Sequence, residues 1–98
     1  MIFDYTQTDL DDVLKTCFTS VDPLRLKVFP AKEKRKFLCL VIIIGQIGKD
    51  RVYREKEINA LLEPIYPDYA TLRRYLVDYG FLSRKTDGSE YRALEGVL

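Results

Sequence analysis

The order of patterns along this chain predicts an α+β fold: a winged helix-turn-helix of three helices plus a C-terminal β-hairpin, preceded by an N-terminal amphipathic helix and a short strand. Three observations carry that expectation. Two helical periods lie on either side of a tight connection, Ile65-Tyr66-Pro67-Asp68. Gly80 stops the second of them. Beyond it, Asp87-Gly88 joins two short runs of strand character, the signal of a hairpin.

Each element has its own justification. Leu10, Val13, Leu14, Cys17 and Phe18 repeat on one helical face, so a helix is expected from Thr8 to Thr19, with Thr8 as its cap and acidic residues in its first turn. Asp22-Pro23 breaks that period, and Leu24, Leu26 and Val28 alternate with polar neighbours as a short strand does. Phe29-Pro30 ends the strand. A long helix is expected over Ala31 to Ile47, where strong helix formers lead into a β-branched run that must be covered on nearly every side. Val52-Tyr53 adds a short strand. Glu55 to Leu62 then presents Ile58, Leu61 and Leu62 on one face and is stopped by Pro64. Asp68 caps a helix running to Tyr79 with Leu72, Leu76 and Tyr79 inward, and strands follow at Phe81 to Lys85 and Glu90 to Leu94.

A chain of 98 residues supports one hydrophobic core, so residues 1–98 are expected to form a single domain, with 1–22 as a helical extension and 23–98 as the winged-helix core. The longest apolar run, Phe37 to Ile44, falls far short of the roughly 20 residues that span a bilayer. Met1 to Tyr5 lack the basic start and apolar stretch of a signal peptide, so a cytoplasmic location and no membrane partner are expected. Cys17 and Cys39 fall within apolar patterns and read as buried thiols. The chain has no histidine, which removes the commonest general base and metal ligand. Its carboxylates form no catalytic pair and its glycines no phosphate loop, so a protein that is not an enzyme and takes no cofactor or metal is expected.

The formal net charge of +1 conceals a separation. Residues 1–22 carry five aspartates against Lys15, a net of −4, while residues 23–56 carry ten Lys or Arg against Glu33, Asp50 and Glu55, a net of +7. Either an anionic partner meets the basic middle, or the acidic start packs against it.

The run DYATLRRYLVDYGFL at 68–82, followed by Arg84 and then DGSEY at 87–91, resembles a family of small bacterial domains of unknown function. Members of that family occur alone or fused behind ArsR-type helix-turn-helix repressors. The similarity runs from about Leu26 through Arg92 and takes in Phe29-Pro30 and Glu57-Ile58-Asn59; residues 1–22 lie outside it. The resemblance implies a winged-helix-like fold and an association with transcriptional regulation, hence a regulator protein as a partner.

Two groups of residues are candidates for binding. If the helix after Asp68 enters a major groove, Thr71, Arg74 and Ala70 come nearest the bases and Arg73 nearest a phosphate. Arg84 and Lys85, with Arg92 across the hairpin, are placed for the DNA backbone or minor groove. Their structural alternative is pairing with Asp68, Asp78 and Glu90, with Tyr69 and Tyr75 as core edges. The second group, Lys32, Lys34, Arg35 and Lys36, crowds a helix start where the dipole disfavours cations, and is either an anion site or a solvated face neutralised by the acidic first helix. The expected function is therefore binding of duplex DNA by a regulator-like winged helix, as a homodimer because one small module gives little specificity. The alternative is a non-enzymatic protein-interaction or ligand-sensing module that reuses the fold, favoured by the near-neutral total charge.

Overall fold

Thr6 and Asp9 start the first helix by capping each other. The Asp9 N–H donates to Thr6 Oγ1 at 3.2 Å and the Thr6 N–H donates to Asp9 Oδ2 at 3.0 Å, so two amides that the helix leaves free are satisfied reciprocally. That bond to the Thr6 backbone, with Lys34 nearby, holds the Asp9 carboxyl below its usual range. The helix, α1, therefore spans Gln7–Cys17, starting earlier than the expected Thr8 because Thr6 and Asp9 form the cap.

The protein is seen here in a computed structural model that describes residues 3–94; residues 1–2 and 95–98 of the expected domain lie outside the described residues. Eight elements follow in order: α1, β1 (Phe18–Val21), β2 (Leu24–Leu26), α2 (Glu33–Ile44), α3 (Glu55–Leu62), α4 (Tyr69–Asp78), β3 (Leu82–Arg84) and β4 (Tyr91–Ala93). The fold is α+β, with four helices and two two-stranded antiparallel sheets among the described residues. No helix among them is long and apolar enough to cross a membrane.

Other boundaries differ from the sequence expectation as well. The end of the first expected helix is instead strand β1, which pairs with β2 through Phe18↔Leu26, Ser20↔Arg25 and Val21↔Leu24 around a cis Asp22–Pro23 peptide. Phe18 is inward both as the next step of the helical period and as the first residue of a half-buried strand, so local pattern could not separate them. Val28 is 51% exposed and outside β2, because the chain turns toward Phe29, whose ring packs edge-on against Tyr66 and Tyr75 at 5.2 and 5.1 Å. At Val52-Tyr53 the expected strand contracts to one bridge, Tyr53 to Tyr91, closed by N–H···O bonds of 2.8 and 2.7 Å.

The core is built around α2. Phe37, Leu38, Cys39, Leu40, Ile43 and Ile44 are all buried, while Val41 and Ile42 are half-buried, so the β-branched run is helical and covered on most but not all of its circumference. The helix keeps to Glu33–Ile44, inside the expected Ala31 to Ile47, and ends at Gly45. Val13 and Cys17 of α1 cover one side of the core; Ile58, Leu62, Leu72 and Leu76 of α3 and α4 cover another; Phe81, Leu82, Tyr91 and Ala93 close the hairpin end. Backbone hydrogen bonds also fasten the segment before residue 23 to this core, in the β1–β2 pairing and in a Lys27 N–H donated to the Cys17 carbonyl at 2.7 Å.

Candidate nucleic-acid interface

Helix α4 is oriented by its cap and its apolar face. Asp68 accepts the Thr71 N–H at 3.2 Å with Oδ1 and the Thr71 hydroxyl at 2.7 Å with Oδ2, and these bonds hold its carboxyl below the usual range. Leu72 and Leu76 are fully buried, so Arg74 and Asp78, offset from them around the helix, face outward and are exposed.

Arg73 belongs to neither face. Its Nη1 donates to Asn59 Oδ1, its Nη2 lies 3.7 Å from Glu55 Oε1, and its guanidinium stands 5.9 Å from the centre of the Tyr91 ring. Glu55 Oε1 also accepts the Tyr91 hydroxyl at 2.9 Å. Arg73 thus ties α3 to α4 and to the hairpin, with its side chain 20% exposed. Above it the outer face of α4 and the hairpin enclose a cleft of about 380 Å³. Arg73, Arg74, Val77 and Asp78 form the helix side of this cleft, Ala70 and Thr71 its upper end, and Arg84 and Tyr91 the hairpin side. Among the described residues neither Arg74 nor Arg84 has a carboxylate within ion-pair distance.

The structure therefore brings Thr71, Arg73, Arg74 and Arg84 together. Lys85 does not line this cleft: it pairs with Glu90 at 3.1 Å and, with Arg92, borders a neighbouring hollow of about 250 Å³ that Arg84 and Tyr91 also line. At the start of α2, Lys34 lies 3.5 Å from Asp9, and Arg35 lies 2.5 Å from Asp12 while donating to Thr16 Oγ1 at 2.6 Å. Lys36 lies 3.9 Å from Glu33 and 4.7 Å over the Tyr75 ring. Only Lys32, exposed at the N-cap position, is left without a carboxylate among the described residues. Asp9, Asp12 and Glu33 thus offset the dipole cost of this basic cluster, and Lys34 and Arg35 link α2 to α1.

Sequence reasoning missed Glu55, Asn59 and Tyr91, which position Arg73. Glu55 and Asn59 stand one turn apart on α3 and so share a face, a local signal. Nothing local shows that this face meets α4. The two cysteines are buried, and burial pushes the Cys39 thiol up, away from the reactive thiolate. Among the described residues no cluster of three His, Cys, Asp or Glu is placed to hold a metal ion.

A family model described as an uncharacterized protein conserved in bacteria (DUF2087) matches residues 25–93, from the middle of β2 to the end of β4. Searches of curated proteins and of solved structures find no significant match.

Proposed function

We propose that this chain, which belongs to the DUF2087 family of uncharacterized bacterial proteins, folds from α2 onward as a winged helix-turn-helix and binds duplex DNA through α4 and the β3–β4 hairpin. The observation that carries this reading is the convergence of Arg74 and Arg84, without carboxylate partners among the described residues, in one cleft between a capped helix and a hairpin. In a winged helix these two elements meet the groove and the flanking backbone, and arginine is the side chain best suited to forked contacts with phosphate and guanine. The Tyr53–Tyr91 bridge adds a third, one-residue strand beside the hairpin, which stiffens the wing and supports the same reading.

A monomer of this size presents one recognition helix, so dimeric binding to two half-sites is part of the proposal. The test is fluorescence anisotropy with duplexes of varied sequence across a salt series. Binding that weakens steeply with salt and differs between sequences is expected; no binding to any duplex at low salt would remove the reading.

One observation favours a second reading, a ligand-sensing or protein-interaction module. The cleft's volume of about 380 Å³ lies within the range of small-molecule sites, and Val77 and Tyr91 give it an apolar side. Under this reading a regulator protein or a small anion takes the place of DNA.

A further inference from the structure

The cleft's three arginines are not equivalent. Thr71 offers no hydroxyl hydrogen to a ligand, since its hydroxyl donates to Asp68. Arg73 is spent in part on Asn59 and Glu55, and lies on the floor of the cleft with its remaining donors beside the Tyr91 ring. Arg74 projects from α4 and Arg84 from β3, and both guanidiniums are exposed. A fixed cation below and two unpaired forks on opposite walls form a concave donor set with no neutral acceptor demand of its own. The one opposing group in the lining is the Asp78 carboxylate, one negative charge against three guanidiniums, which leaves the lining cationic.

We infer that Arg73, Arg74 and Arg84 form a receptor for a single phosphoryl group, held between α4 and the hairpin with one fork from each wall. This deepens the DNA reading and rests on it, because α4 and the hairpin must be the binding face. The phosphoryl group comes either from the duplex backbone or from a free phosphomonoester. Both present anionic non-bridging phosphoryl oxygens to bidentate guanidinium donors, two on the backbone diester and three on the monoester.

A shared group makes a sharp prediction, because two arginines on one phosphate cannot act independently. In anisotropy titrations of a duplex, Arg84→Ala lowers affinity about tenfold near 0.1 M salt and reduces the slope of log affinity against log salt by about one. Arg74→Ala on top of Arg84→Ala then adds about twofold at most and leaves the slope where the single variant put it. Both side chains are exposed, so the variants retain the native circular dichroism and melting temperature. Additive losses with a slope reduced by about two would mean two separate phosphates; that overturns the inference and leaves the DNA reading intact. Tight, salt-dependent DNA binding untouched by either substitution overturns the inference too, and moves the DNA to another face. The free source is read with phenyl phosphate in a 15N-edited titration. If no duplex binds but phenyl phosphate shifts the Arg74 and Arg84 Nε–H resonances, the receptor stands and the DNA reading falls. If neither probe binds, both fall.

Discussion

Arg35 shows at a single residue how charge patterning along the sequence becomes packing. One guanidinium reaches Asp12 at 2.5 Å and the Thr16 hydroxyl at 2.6 Å, both on α1, and approaches the Cys17 sulfur at 3.9 Å. It is the strongest polar link from the acidic start of the chain to its basic middle. Arg35→Ala is expected to cost about 1 kcal/mol, the lower end for a charge-assisted bond because the pair is partly solvated, and Asp12→Ala in the same background should cost little more. Urea denaturation of the two single variants and the double variant checks this. Gly80 is a residue of the opposite kind, needed for its backbone. Its φ of 83° lies in the left-handed region, and no atom stands within 4 Å of where a Cβ would be. Gly80→Ala is therefore expected to destabilise by about 1–2 kcal/mol through backbone strain alone, with Gly80→Asn intermediate, in the same denaturation assay.

Among the elements, α3, α4 and the C-terminal hairpin were the most legible in the sequence. Their signals are local: Asp68 as cap, Leu72 and Leu76 as the inward stripe, Gly80 as stop and Asp87-Gly88 as the turn. The β1 strand was not legible, because Phe18 fits a continuing helix as well as a strand, and only pairing with β2 decides. The candidate site divides in the same way. Arg74 and Arg84 were legible as outward cations, since helix and strand periods place them. The role of Arg73 was not, because Asn59, Glu55 and Tyr91 are distant in sequence and meet it only through tertiary packing. At the other end, α1 depends on its reciprocal cap. Thr6→Ala should lower stability by about 1 kcal/mol, and loss of α1 helicity by hydrogen exchange before the rest of the protein opens would place that cost in this element.

For the whole molecule, the distribution of ionisable groups sets the response to pH. Asp9, Glu57, Asp68 and Asp87 all have carboxyl pKa values lowered by hydrogen bonds, chiefly from the Thr6 backbone, the Arg54 backbone, Thr71 and Ser89 respectively. Lowered values mean stability that is fully present above the ordinary carboxylate range and is lost as pH falls through the folded-state values. At the alkaline end, burial first and then the Glu33 carboxylate hold the Tyr79 hydroxyl neutral, and burial does the same for the Cys39 thiol. Raised values mean stability present below the ordinary thiol value of 9.0 and lost progressively above it. With no histidine in the chain, the melting temperature is expected to be nearly flat between about pH 6 and 8 and to fall on both sides. A melting series across pH checks this; a step near neutrality would contradict it.

The same charge distribution bears on function. Lys34 and Arg35 of the basic middle pair with the acidic first helix, while the cations free of carboxylates on α4 and β3 meet in one cleft. The claim that this cleft is the binding face is tested most directly by following backbone amide shifts as a short duplex is added. The account predicts that the largest changes fall on residues 70–78 and 83–92, with α1 and the β1–β2 hairpin unmoved. Changes centred instead on the α1–α2 face, or none at low salt, would contradict it.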